Sequence, residues 1–498
     1  MRKKKTIKNF LTSIIPFFLI MIISFWRLDI FLEHLGVDVY ALNQLFYQIF
    51  VYLSLVEGGF GAIILQKFYK NFSTNNVDAI NNTYTSAKTL FKRIALIMFI
   101  AGFVLSFFIN FLVNNSLDFH YVQLVFILFL SKNIIDYLMM APRFVLDGDQ
   151  SMYKINIQLN VFKILEAILE IGLLLLGFGY VIVLINSIII RYLSNLYINR
   201  KIFKFYPWLK EVENYKKIES RGLGDTFAIR ISGALYYNID IVLLSIYQSS
   251  FMVTVYSNYN YVVKMLTDII FMLATSMTAS FANVIHKEKI EESFKIFKEI
   301  NTIFCFIGLM VAIIFFYSAN SFISLWVGEE YIIETFSLFL MSIYLYFSIY
   351  RRAILIAMYA YGDFKDFKNS FLLEAFLNFL ISIVLVKFMG ISGLLIGTVI
   401  SSLLTTFITI PNKIYSKIFK EKSSSYYLLF LCNLCIFFSV IFLTNNFTNL
   451  PININIFSWI FNVGFYSLII GSCLFCFYYL SNKDFKNSLF KMLSIIKK

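Results

Sequence analysis

Residues 155–198 read INIQLNVFKILEAILEIGLLLLGFGYVIVLINSIIIRYLSNLYI. Two arms rich in Ile and Leu flank the turn Gly177-Phe178-Gly179-Tyr180. An α-helix needs about 20 apolar residues to cross a bilayer, so each arm is long enough for one crossing. A turn this short, with two glycines, joins them as a helical hairpin. The rest of the 498-residue chain has the same character: 59% of it is hydrophobic, 14% is charged and five residues are proline. No ordinary soluble domain accommodates that balance, and little chain is left for a soluble catalytic domain. The sequence describes an all-α polytopic membrane protein.

Reading outward from the hairpin gives about fourteen apolar runs. Six form a first half: Phe10 to Trp26, Leu42 to Leu65, Ile94 to Val113, Val122 to Met140, Ile155 to Gly177 and Val181 to Ile198. The second half has Phe227 to Tyr247, Tyr259 to Ile285, Ile300 to Leu325, Phe336 to Met358, Phe371 to Phe388 and Leu394 to Ile410. Tyr426 to Leu443 and Phe457 to Leu480 follow. The segment Met389-Gly390-Ile391-Ser392-Gly393 marks a second tight hairpin. Pro16 is expected to kink the first run. The basic start, Arg2 to Lys5, resembles a secretory signal, but Phe25-Trp26-Arg27 lacks the small residues of a cleavage site.

The net charge of +14 follows the topology. Of the 43 Lys and Arg residues, 35 fall in the two termini and in alternate loops when Arg230, just inside the seventh run, is counted with its loop; these segments are therefore expected to be cytoplasmic. Both termini then lie inside, and the bilayer rather than nucleic acid is the partner of this basic charge.

The two halves echo one another. Gly148-Asp149 precedes Tyr153-Lys154 as Gly362-Asp363 precedes Phe367-Lys368, and each following run contains Glu-Ala-x-Leu, at Glu166 and at Glu374. Leu28-Asp29-Ile30 has a counterpart in Ile239-Asp240-Ile241. The expected organisation is a six-helix bundle over 1–199, a basic cytoplasmic linker over 200–226, a second, parallel six-helix bundle over 227–411, and two extra transmembrane helices with a basic tail over 412–498.

These features resemble the polysaccharide repeat-unit flippases, Wzx-type, of the multidrug/oligosaccharidyl-lipid/polysaccharide exporter superfamily. The resemblance is carried by Leu35-Gly36-Val37-Asp38-Val39-Tyr40, by Val56-Glu57-Gly58-Gly59-Phe60-Gly61, and by Asn238-Ile239-Asp240 with Tyr256-Ser257-Asn258-Tyr259. Gly362-Asp363-Phe364-Lys365 and Gly390-Ile391-Ser392-Gly393 add to it. It implies two bundles about a central cavity lined by runs 1, 2, 7 and 8. It also implies outward movement of a polyprenyl-pyrophosphate-linked oligosaccharide across the bacterial cytoplasmic membrane, for O-antigen, capsule or similar polymers. Coupling to a proton or sodium gradient or to the membrane potential, and work alongside a polysaccharide polymerase and other assembly proteins, belong to the same expectation; no cofactor does.

Charges inside apolar runs are costly, roughly 2.5 to 3.5 kcal/mol each at a lipid-facing mid-helix position, so they face protein or water. Lys132, Lys163, Arg191, Lys264, Arg351 and Arg352 are such bases. Spacing suggests pairs within one helix: Lys132 with Asp136, Lys264 with Asp268, Lys163 with Glu166. Arg191 has no acid at helical reach and is expected to turn to Glu166 or Glu170. A pyrophosphate needs positive charge on its path, and the Arg fork suits it. Arg27 and Lys264 are therefore the leading headgroup candidates, with Arg191, Arg351 and Arg352 behind them. The acids Glu57, Asp240 and Asp268 are candidates for coupling, and Glu166, Glu170 and Glu374 for coupling or helix pairing.

Cys432 and Cys435, with Cys473 and Cys476, have a zinc-like spacing, yet inside helices packing is the simpler account. With His34, His120 and His286 scattered, no catalytic metal is expected. A multidrug exporter of the same superfamily is the main competing reading. A membrane-embedded glycan polymerase, the one enzyme considered, is disfavoured by short external segments.

Overall fold

The computed structural model describes residues 2–216, 223–287, 289–362, 365–444 and 455–496. Asp363 and Phe364 and part of the expected linker, 217–222, lie outside them. The described residues form helices and turns without a strand. The helices are α1 (Arg2–Ser54), α2 (Phe60–Ser73), α3 (Val77–Ser106), α4 (Phe119–Met139), α5 (Ala141–Gly148), α6 (Tyr153–Leu175), α7 (Tyr180–Phe205), α8 (Leu223–Tyr247) and α9 (Ser250–Lys287). They continue with α10 (Ile290–Val327), α11 (Thr335–Tyr350), α12 (Arg352–Tyr361), α13 (Lys368–Leu404), α14 (Thr406–Lys413), α15 (Ser424–Thr444), α16 (Ile456–Ser481) and α17 (Lys483–Ile496).

Each of the fourteen apolar runs lies in this helical framework, although the helices divide differently. Among the described residues nine helices are long and apolar enough to cross a membrane, ten if the bent pair of α1 and α2 is one crossing. The first two runs share α1, which breaks at Gly36 with φ +76°. The eleventh and twelfth share α13, which breaks at Gly390 with φ +53°. Helices α6, with Lys163, Glu166 and Glu170, and α9, with Lys264 and Asp268, are absent from that apolar set.

The chain forms two compact units, residues 1–234 with 249–251, and 235–248 with 252–498. In the first, α6 packs on α1, α4 on α3 and α7, and α6 on α7. The expected turn between α6 and α7 is present. Gly177 adopts φ +80°, its N–H donates to Leu174 O at 2.8 Å and the Phe178 N–H to Leu173 O at 3.0 Å. That is the hydrogen-bond pair by which a left-handed glycine closes a helix C-terminus. After α7 the chain straps onto α3: Asn81 Nδ2 donates to Trp208 O (3.2 Å), and Thr85 Oγ1 accepts from the Val212 N–H (3.0 Å).

In the second unit α10 packs on α11, α16 and α17, and α11 on α13. The two arms of α13 approach so closely that a Cβ on Gly393 would come within 2.4 Å of Leu385 O. Small residues permit that approach.

Candidate functional site

The first unit gathers its intramembrane charges into one network from α1, α4, α5, α6 and α7. Lys132 on α4 reaches Glu166 on α6 at 3.0 Å. Arg191 on α7 donates to Asp136 at 2.6 Å and lies 3.5 Å from Glu166. Asn195, one turn along α7, donates to the other Asp136 oxygen at 2.7 Å and accepts from Arg143 of α5 at 2.5 Å. Lys163 stands within electrostatic reach of Arg191, Arg143, Asp136 and Glu166. Towards the far end of α6, Arg27 pairs with Glu170 at 3.3 Å, and the Tyr180 hydroxyl donates to Asn43 of α1 at 2.7 Å.

Two sequence expectations are corrected here. Lys132 pairs with Glu166 across helices, not with Asp136 four residues along its own helix, because Asp136 is taken by Arg191 and Asn195. Lys163 shows no ion pair with Glu166, whose oxygens are engaged by Lys132 and Arg191. The expected turn of Arg191 towards Glu166 is present. Five bases (Arg27, Lys132, Arg143, Lys163, Arg191) thus gather about three acids (Asp136, Glu166, Glu170) in this network, Arg27 and Arg143 from just outside the apolar runs.

Glu57 occupies a different kind of place. Gly58 and Gly59, at φ +60° and +89°, break the second run, and Glu57 Oε1 accepts from the Gly61 N–H at 3.2 Å. A carboxylate here caps the restarting helix α2. Tyr137 donates to its other oxygen at 3.4 Å, and Arg230 lies 3.9 Å away.

The second unit holds a tighter cluster. Arg351, at the junction of α11 and α12, donates to Glu374 Oε1 at 3.1 Å and to the Tyr237 hydroxyl at 2.6 Å. Ser402 and Thr406 each donate to the same Glu374 oxygen at 2.8 Å. Both charges are buried. Arg352, the next residue, turns instead over the Phe271 ring at 4.9 Å. Lys264 and Asp268 are exposed on α9, and Asp268 interacts with Lys264 and Arg352. Asp240 is buried and accepts from the Tyr256 hydroxyl at 2.6 Å, while its Oδ1 makes no hydrogen bond.

Cys432, Cys435, Cys473 and Cys476 are exposed on α15 and α16, and no metal-binding group of His, Cys, Asp and Glu occurs among the described residues. Sequence spacing missed Arg143, Asn195 and Tyr237. The first lies outside the runs and the others are uncharged, so an inventory of intramembrane charge passes over all three.

No protein-family model and no curated protein matches the chain. Solved structures do. The lipid II flippase MurJ in an inward closed conformation is 16% identical with a TM-score of 0.67, covering 94% of this chain and 99% of its own. An inward-facing multidrug resistance MATE transporter of the MOP superfamily is 13% identical with a TM-score of 0.59, covering 76% and 92%. A MOP superfamily transporter from Pyrococcus furiosus, described by the reversed polarity of its binding pocket, is 14% identical with a TM-score of 0.53, covering 83% and 96%. The chain therefore has the fold shared by these transporters.

Proposed function

We propose that this protein is a flippase that moves a polyprenyl-pyrophosphate-linked oligosaccharide from the cytoplasmic to the outer face of a bacterial cytoplasmic membrane, for assembly of a cell-surface polysaccharide. The observation that carries the reading is the network of the first unit, in which Arg27, Lys132, Arg143, Lys163 and Arg191 gather about Asp136, Glu166 and Glu170. Bases that outnumber the acids they gather around suit an anionic cargo. Arg27, Arg191 and Lys163 supply charge for the pyrophosphate. Arg351, held by Glu374 and Tyr237, positions rather than binds. Asp240, with one oxygen unbonded, is the strongest coupling candidate for a proton or sodium ion. Both termini lie in the cytoplasm, where most of the Lys and Arg fall. The similarity to MurJ over almost the whole chain supports a lipid-linked cargo.

The test is to deplete the protein in its host and follow radiolabelled lipid-linked oligosaccharide. The expected result is accumulation on the cytoplasmic face with loss of surface polysaccharide, reversed by wild type but not by Arg27→Ala or Arg191→Ala. Unchanged lipid intermediates together with altered efflux of small cations would overturn the flippase in favour of a drug exporter.

A further inference from the structure

Lipid is met by apolar side chains, so an exposed charged face among apolar helices borders water or a ligand. The second unit has such a face. Lys264 and Asp268 are exposed on α9, and Arg352 of α12 reaches over to Phe271 and interacts with Asp268. Three large rings share this neighbourhood. Tyr237 is 39% exposed, Phe271 44% and Tyr359 48%, and the Tyr359 hydroxyl interacts electrostatically with Tyr237, Arg351 and Arg352.

The rings are held in place. Tyr237 is bonded at its hydroxyl by Arg351 at 2.6 Å and stands perpendicular to Tyr236, centroids 4.8 Å apart. Arg351 is itself anchored on buried Glu374. The guanidinium of Arg352 covers one side of Phe271. Aromatic faces fixed before a ligand arrives bind without a further loss of side-chain freedom.

We propose that Tyr237, Phe271 and Tyr359 form a stacking platform for the sugar rings of the cargo, with Lys264, Asp268 and Arg352 bonding their hydroxyls. The proposal rests on the flippase reading and adds the residues that recognise the glycan. One face of a pyranose is a patch of C–H bonds with partial positive charge, which lies against the negative face of an aromatic ring. Its hydroxyls donate to a carboxylate and accept from ammonium and guanidinium groups. A prenyl tail would match the rings but not the charges, and a cationic drug would meet the exposed Lys264 and the half-buried Arg352 beside one acid.

The experiment uses the full chain in lipid nanodiscs and two probes: lipid-linked oligosaccharides extracted from host cells depleted of this protein, and undecaprenyl pyrophosphate without sugar. Tyr237→Ala and Phe271→Ala are each expected to weaken the sugar-bearing probe about tenfold while changing the bare lipid less than about twofold. Phe271→Trp and Tyr237→Phe, which keep a ring, are expected to restore most binding and to report on the platform if an alanine variant does not fold. Equal loss for both probes, or no loss for the sugar-bearing one, overturns the platform and leaves the flippase standing. Failure of the wild type to bind either probe overturns the flippase reading, and the platform with it.

Discussion

Glu166 and Glu374 open the same Glu-Ala-x-Leu segment in the two halves of the chain, yet they are used differently. Glu374 is sealed: its side chain is 2% exposed, its Arg351 partner 10%, and one of its oxygens takes Arg351, Ser402 and Thr406 together. Glu166 is 11% exposed and faces two bases from different helices, Lys132 at 15% and Arg191 at 32% exposure. The lesson is one of balance. One acid against one base, with hydroxyls filling the remaining lone pairs, makes a closed structural joint. One acid among several bases leaves charge available for a ligand.

The largest effect that would break this comparison is at Glu374. Glu374→Ala leaves Arg351 buried and unpaired, so it should cost about 3 to 5 kcal/mol, read as a fall in thermal stability of the purified protein. Replacing both partners, Arg351→Met with Glu374→Leu, should recover most of that loss. Glu166→Ala should cost less, because Lys132 and Arg191 retain some exposure; an equal or larger loss would erase the distinction. Arg191→Met is next. It should lower transport of lipid-linked oligosaccharide at least about tenfold, worth about 1.4 kcal/mol of binding, while the protein remains folded by size-exclusion chromatography.

The two hairpins sharpen the comparison on a smaller scale. A Cβ on Gly393 meets Leu385 O at 2.4 Å, whereas one on Gly172 of α6 meets nothing within 4 Å. Gly393→Ala should therefore destabilise by about 1 to 3 kcal/mol, and Gly172→Ala should be neutral or mildly stabilising, since Ala is the better helix former by about 1 kcal/mol. Denaturation of the two variants side by side decides this. The smallest effect expected is from serine at Cys432, Cys435, Cys473 and Cys476 together. All four are exposed, and each surface change should stay within about 0.5 kcal/mol; a larger loss that depends on added zinc would restore the metal reading.

Much of the fold is legible because its signals are local. Apolar runs of membrane length, the Gly177 turn and the hairpin at Gly390 each depend on a few consecutive residues. The break at Gly58 and Gly59 was not read from the sequence, which carries the second run straight through it: only the folded chain shows Glu57 capping the helix that restarts there. The candidate site was half legible. Most of its charges could be picked out one by one, because they are conspicuous in an apolar run; Arg143, outside the runs, could not, and Arg191 could be sent to the neighbouring hairpin helix because its own offers no acid. The pairing of Lys132 could not. Spacing along a helix shows which residues share a face, but not which way the face turns once neighbours pack against it.

The sequence by itself determined that this is a helical membrane protein, where its apolar runs lie, and that bases needing a partner or water sit within them. These follow from hydrocarbon thickness and from the cost of charge in lipid, which act on each segment separately. Tertiary structure alone decided that Lys132 meets Glu166, that Arg143 and Asn195 join the network, and that Arg351 bonds the Tyr237 hydroxyl. Such partners are chosen by the rotation and approach of whole helices, and that choice is a property of the packed bundle, not of any stretch of its chain.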